Sequence, residues 1–169
     1  MLAAAVAAIL DRDLQALARE VAAYPDERAL WETPPGITNS AGTLALHLAG
    51  NVRHYLGAQL GGTGYVRDRP AEFASRNVPR RTILAQIDEA RAAVRAAAAR
   101  TGADREEQDF PEVVGGVRVA TGEYLIHLVS HFTFHLGQVD YHRRVVTGQT
   151  QGVDAVRAAE LSTARPVAD

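Results

Sequence analysis

Residues Glu123–Arg144 read EYLIHLVSHFTFHLGQVDYHRR. At about 100° per residue on a helix, His127, His131, His135 and His142 fall within roughly 80° of arc. Tyr124 and Gln138 lie inside the same arc. The apolar spacing predicts one long helix from about Thr121 to Val146, halted near Gly148. One of its faces carries a stripe of imidazoles, the commonest metal-ligand side chain.

Three more stretches show helical periodicity. Val6, Leu10, Leu14, Leu17, Val21 and Tyr24 step by three or four until Pro25. The apolar opening MLAAAVAAILDRD lacks a positive leading region and keeps this spacing, so it is expected to be the first helix rather than a signal sequence. A polar loop with Trp31, Pro34 and Pro35 follows. Asn39 or Ser40 can cap a second helix from about Thr43 to Leu60, ended by Gly61-Gly62. The third opens near Pro79 and presents Ile83, Ile87, Ala90, Val94 and Ala97 on one face, with Gly102 suited to its C-terminal cap.

Between the second and third helices lies a long irregular connection, with Arg67-Asp68-Arg69-Pro70 as a charged turn. Its length suits a crossover at the end of a bundle. Val113–Val119, two β-branched runs around Gly115-Gly116, reads as a small hairpin before the last helix. Residues 150–169 read as a tail with a weak helical patch at Asp154–Leu161. The expected fold is therefore all-α, a single four-helix bundle domain over 1–169.

The chain has 169 residues, a net charge of −2 and no cysteine. The charge gives no overall basic field for nucleic acid. Without cysteine there are no disulfides, thiolate nucleophiles or cysteine-based zinc sites. No run approaches the ~20 apolar residues of a membrane span, and a cytoplasmic protein is expected.

Imidazoles four apart on a helix are neighbours and can chelate one ion through bonds near 2.0–2.1 Å. His127 to His135 spans about 12 Å of helix axis, too far for one ion. Either His127 with His131, or His131 with His135, forms the pair. A third ligand must come from another helix, where His47 and His54 share a face with Asn51. Spacing alone leaves both choices open.

The segment NSAGTLALHLAGNVRHYLG (Asn39–Gly57) and the later EYLIHLVSHFTFHLGQVDYHRR together resemble the DinB/YfiT-like superfamily of bundle metalloproteins. The resemblance covers nearly the whole chain and is narrower to a branch without an assigned function. It implies one metal held by a histidine of the second helix and a His-x-x-x-His pair of the last, just before Gly-Gln. The implied ligands are His47, His131 and His135, followed by Gly137-Gln138. Leu136 departs from the basic residue that many members carry there, which weakens transfer of substrate detail.

Asn51 and Gln138 sit one turn from these residues, where either can orient an imidazole or a bound water. His54, His127 and His142 are expected to be packing, supporting or surface groups, and Tyr124 a packing residue. Arg143-Arg144 is read as serving the helix C-terminal dipole, and Glu106, Glu107 and Asp109 as a solvated acidic turn.

Three nitrogen ligands leave a fourth position open, as catalytic metal sites do. The donor set suits a divalent zinc, nickel or iron ion. The leading expectation is a metal-dependent enzyme acting on a small molecule. The resemblance implies transferase or isomerase chemistry with a low-molecular-weight thiol, or a hydrolase, and a homodimer. The competing expectation is a non-catalytic metal-binding or dimerising bundle.

Overall fold

The computed structural model describes residues 2–167. Its fold is all-α. Four long helices carry the core: α1 (Leu2–Ala22), α2 (Ala41–Val52), α4 (Arg80–Arg100) and α6 (Thr121–Thr147). Two short ones, α3 (Arg69–Ala74) and α5 (Ala103–Glu107), lie in the connections. Both α1 and α2 pack against α4 and α6.

The predicted apolar stripes face inward. Val6, Leu10, Leu14, Leu17, Val21 and Tyr24 of the first stripe are buried, as are Ile83, Ile87, Ala90, Val94 and Ala97 of α4. On α6 the core stripe is Leu125, Leu128, Phe132, Leu136 and Val139. Every residue of α2 is buried, because the helix is covered on both flanks and by α3.

Local chemistry explains the boundaries. Ser40 caps α2, its hydroxyl accepting from Thr43 N–H at 3.2 Å. Past Val52 the helix continues as a π-helical segment, Arg53–Ala58, a widened turn the periodicity does not announce. Gly148 closes α6 in the left-handed conformation at φ 69°. Thr101, not Gly102, closes α4, and Gly102 opens α5. The acidic turn is tied into the fold, since Glu106 Oε1 accepts from Ala3 N–H at 2.8 Å.

The 61–79 connection contains α3, which packs on α2. Asp68 caps it, accepting from Ala71 N–H at 3.0 Å, and Pro70 sits in its first turn. Around Gly115-Gly116 the chain makes one antiparallel bridge, Val114 with Val117. No named strand forms among the described residues. Both glycines have positive φ, 58° and 85°, as a two-residue turn of this kind requires.

Arg143 is buried rather than facing solvent at the helix end. Its Nε lies 2.5 Å from Glu20 Oε2, and another nitrogen donates to the Gln151 carbonyl at 3.0 Å. Arg19 donates to the Val153 carbonyl at 3.0 Å. These bonds hold the segment after α6 against α1. His142 is also occupied: Tyr24 O–H donates to its Nδ1, and its Nε2–H donates to the Glu32 carbonyl, each at 2.8 Å.

Truncating one partner of a buried ion pair leaves an uncompensated charge, which costs about 3–5 kcal/mol. Glu20→Ala is expected to lose less than that, about 1–3 kcal/mol in urea unfolding, because Asp140 Oδ1 remains 3.2 Å from Arg143. The double change Glu20→Leu with Arg143→Met should lose far less. Equal losses would mean that the volume removed, not the stranded guanidinium, sets the cost.

Candidate metal centre

His47 projects from the middle of α2, and His131 and His135 from successive turns of α6. One potential ligand atom from each ring lies within 4.8 Å of the other two. His47 is buried, and the other two are partly buried. His47 Nε2 and His131 Nε2 are 3.3 Å apart. Two tetrahedral ligands with bonds of 2.0–2.1 Å sit about 3.3–3.4 Å from each other, a spacing with which these two nitrogens are compatible. The three donors fit a divalent ion such as zinc.

The far side of two rings is held by protein. His47 Nδ1 is 3.1 Å from Glu72 Oε2 and 3.2 Å from a guanidinium nitrogen of Arg67. Arg67 grips Glu72 through two nitrogens, at 2.7 and 2.8 Å. Burial works to raise the Glu72 carboxyl, but Arg67 and His47 outweigh it and hold it below the ordinary carboxylate range. Glu72 is therefore an anion that accepts a hydrogen bond from His47 Nδ1–H, which leaves Nε2 bare. His135 Nδ1–H donates to Gln138 Oε1 at 2.7 Å, which leaves its Nε2 bare as well.

His131 completes the group. Burial, then the nearby rings of His135, His47 and His127 and the charge of Arg67, push its pKa down to about 4. It is a neutral imidazole at neutral pH, the form that ligates.

Gly50 makes the Glu72 contact possible. A methyl group built there would overlap the Glu72 carboxylate. Phe73, the next residue of α3, covers the His47 ring with centroids 4.9 Å apart. The three histidines open onto a cavity of about 390 Å³ that Asn51, Arg67, Arg69 and Tyr124 also line.

The three histidines that the resemblance implied thus lie together, and neither His54 nor His127 belongs to that cluster. Gln138 is the residue that orients an imidazole, while Asn51 lines the cavity. His54 Nε2 pairs with Glu112 Oε2 at 2.7 Å instead. His127 is exposed at the cavity edge, its ring 5.5 Å from that of Tyr124 and nearly parallel to it. Tyr124 packs on Phe110 with centroids 4.5 Å apart.

Arg67 and Glu72 are the site residues that the sequence reading missed. The Asp68-x-Pro70 capping pattern could have placed α3, though not the burial of its carboxylate.

A family model described as mycothiol-S-transferase matches residues 5–148. The chain belongs to the mycothiol-S-transferase family. That family lies within the DinB/YfiT-like superfamily. No curated protein and no solved structure matches the chain. The match spans all four long helices except the first few residues of α1, so the mycothiol-S-transferase model covers every residue of the histidine cluster.

Removing the partner that orients a metal-bound histidine typically weakens metal affinity 10–100-fold. Glu72→Gln should lower zinc affinity in that range, read by competition with a chromophoric chelator. His131→Ala should abolish binding. His142→Ala should keep the ion yet lose about 1–3 kcal/mol, because the Glu32 carbonyl is left unpaired and Tyr24 keeps only the longer contact to the Val139 carbonyl. Loss of the ion from His142→Ala with retention in His131→Ala would place the site on the wrong turn.

The metal-free protein should also be acid-sensitive. His131 has a folded pKa of about 4 against 6.5 for the free side chain, so between these values the unfolded state binds the proton and the native state does not. Stability is complete above pH 6.5 and falls as pH drops towards 4. Chelator-treated wild type should show this slope in melting temperature, reduced in His131→Asn. An unchanged slope in that variant would assign the sensitivity to another group.

Proposed function

We propose that the protein is a metal-dependent thiol S-transferase on a four-helix-bundle scaffold, with His47, His131 and His135 as the protein ligands of one divalent zinc, nickel or iron ion. The observation that carries this reading is the convergence of three imidazoles on one wall of a cavity, in a chain of the mycothiol-S-transferase family. Mycothiol, or a low-molecular-weight thiol like it, is the sulfur donor, and a second small molecule accepts the sulfur.

A cation held by His47, His131 and His135 would supply Lewis acidity, which would lower the pKa of a thiol bound to it. The protein's own groups do the rest. The bare Nε2 atoms of His47 and His135 point inward because Glu72 and Gln138 occupy the opposite nitrogens. Phe73 and Leu128 give the cavity apolar wall that excludes water from the reacting sulfur. Asn39 and Asn51 offer amide groups to the polar body of the thiol, and Arg69 supplies positive charge beside it.

Protein purified without a histidine tag should contain about one ion per chain by elemental analysis, the stoichiometry of a single three-ligand site. It should consume mycothiol in the presence of an alkylating electrophile. Chelation or His131→Ala should remove that activity by at least about 10²-fold, and restoring the ion should rescue the wild type alone. A full complement of metal with no thiol consumption across a broad electrophile panel would sink the transferase reading and leave a metal-binding protein.

A further inference from the structure

A second cavity, of about 410 Å³, opens beside the histidine cluster, between the loop that precedes α2 and the C-terminal half of α6. Pro34, Ile37, Leu44, Tyr141 and Val145 form its apolar wall. Its inner end is His135 with Gln138, the residue that orients that ring. Asn39 and His135 line both cavities, so one imidazole of the histidine cluster borders each space.

The two cavities differ in charge. Arg67 and Arg69 line the first. No Asp, Glu, Lys or Arg lines the second among the described residues. The one buried histidine in its wall, His142, is held in a neutral tautomer by Tyr24 and Glu32. Tyr141 is 71% exposed, Val145 65% and Ile37 46%. Large apolar side chains gathered around a concavity, rather than scattered singly, mark a ligand site, and the volume falls in the ~300–1,000 Å³ range of small-molecule pockets.

We propose that this second cavity is the acceptor pocket and that the acceptor is an electrophile with an uncharged, apolar aryl or alkyl body. The inference rests on the transferase reading. The pocket holds that body against Tyr141 and Val145 and presents the electrophilic carbon at the His135 edge, while the thiol enters from the arginine-lined side. The sulfur lone pair forms the S–C bond, the bond from carbon to its leaving group breaks, and the leaving group departs as an anion with the electron pair. The thiol proton passes to water. No oxidant or reductant is needed.

Binding can be tested apart from turnover. The neutral fluorophore 6-propionyl-2-dimethylaminonaphthalene is titrated into the full chain in chelator, where no reaction proceeds. Saturable binding at one site is expected, weakened about tenfold by Tyr141→Ser and by Val145→Asp, the weight of one aromatic or aliphatic contact. Val66→Asp, an exposed apolar position outside this cavity, serves as the control and should bind as wild type does.

With metal and thiol present, Tyr141→Ser should raise KM for 4-nitrobenzyl chloride about tenfold while changing KM for iodoacetamide much less. Unaltered fluorophore affinity in both pocket variants overturns the proposal. A wild-type dimer that Tyr141→Ser splits into monomers in sedimentation also overturns it, since a second copy would then cover this face. Fluorophore binding that the variants abolish, in a protein that transfers no thiol, keeps the apolar site and removes the transferase reading instead.

Discussion

A missing side chain lets a carboxylate reach the middle of a buried helix. Gly50 lies one turn beyond His47 on α2, and the space a methyl group would fill is taken by Glu72. Burying that carboxylate alone would be costly, so the arrangement depends on Arg67 crossing it with two short hydrogen bonds. Once paired, the carboxylate still has an oxygen within reach of His47 Nδ1. The chain of dependence runs from glycine to carboxylate to imidazole. The position of the short helix α3 and the tautomer of His47 are two consequences of the same contact.

The same logic explains why membership of one helical arc does not make a histidine a ligand. His142 lies within the arc of the stripe, yet both its nitrogens are taken, one by Tyr24 and one by the Glu32 carbonyl. His54 shares a helix face with His47 but turns to Glu112. His47 and His135 instead have one nitrogen committed to an oriented side chain, and the other faces the cluster. In these two rings the anchored nitrogen fixes which way the other one faces.

Much of this was legible in the sequence where the information is local. The core faces of α1 and α4 follow from spacings of three and four, and the left-handed Gly148 ends α6 where a glycine after a long helical pattern should. The candidate ligands could be narrowed by axial distance to a few alternatives, because helix geometry is rigid. Spacing alone did not choose between His47 and His54, since that depends on the rotation of α2 against α6, and only the resemblance pointed to His47. The π-helical segment at Arg53–Ala58 was hidden as well, because its residues are ordinary helix formers.

Nor could charge be assigned from the chain alone. Arg67, Glu72 and Arg143 look like solvated surface residues in one dimension. They are buried because each finds an opposite charge distant in sequence or across a loop.

The neutrality of the donor set ties the fold to its proposed chemistry. Cysteine or carboxylate ligands would each bring a negative charge to a cation and blunt its pull on an incoming group. Imidazoles do not, and the negative charge of Glu72 is held a ring away, where Arg67 already balances it. His131 stays neutral because burial and its fellow imidazoles make protonation unfavourable. A divalent ion in this cluster would face the cavity with its charge almost undiminished, which favours a fourth ligand that is itself an anion. That preference is expected of a site that draws the proton from a thiol at neutral pH. It also sets such a site apart from a closed structural one, where protein groups fill all four positions.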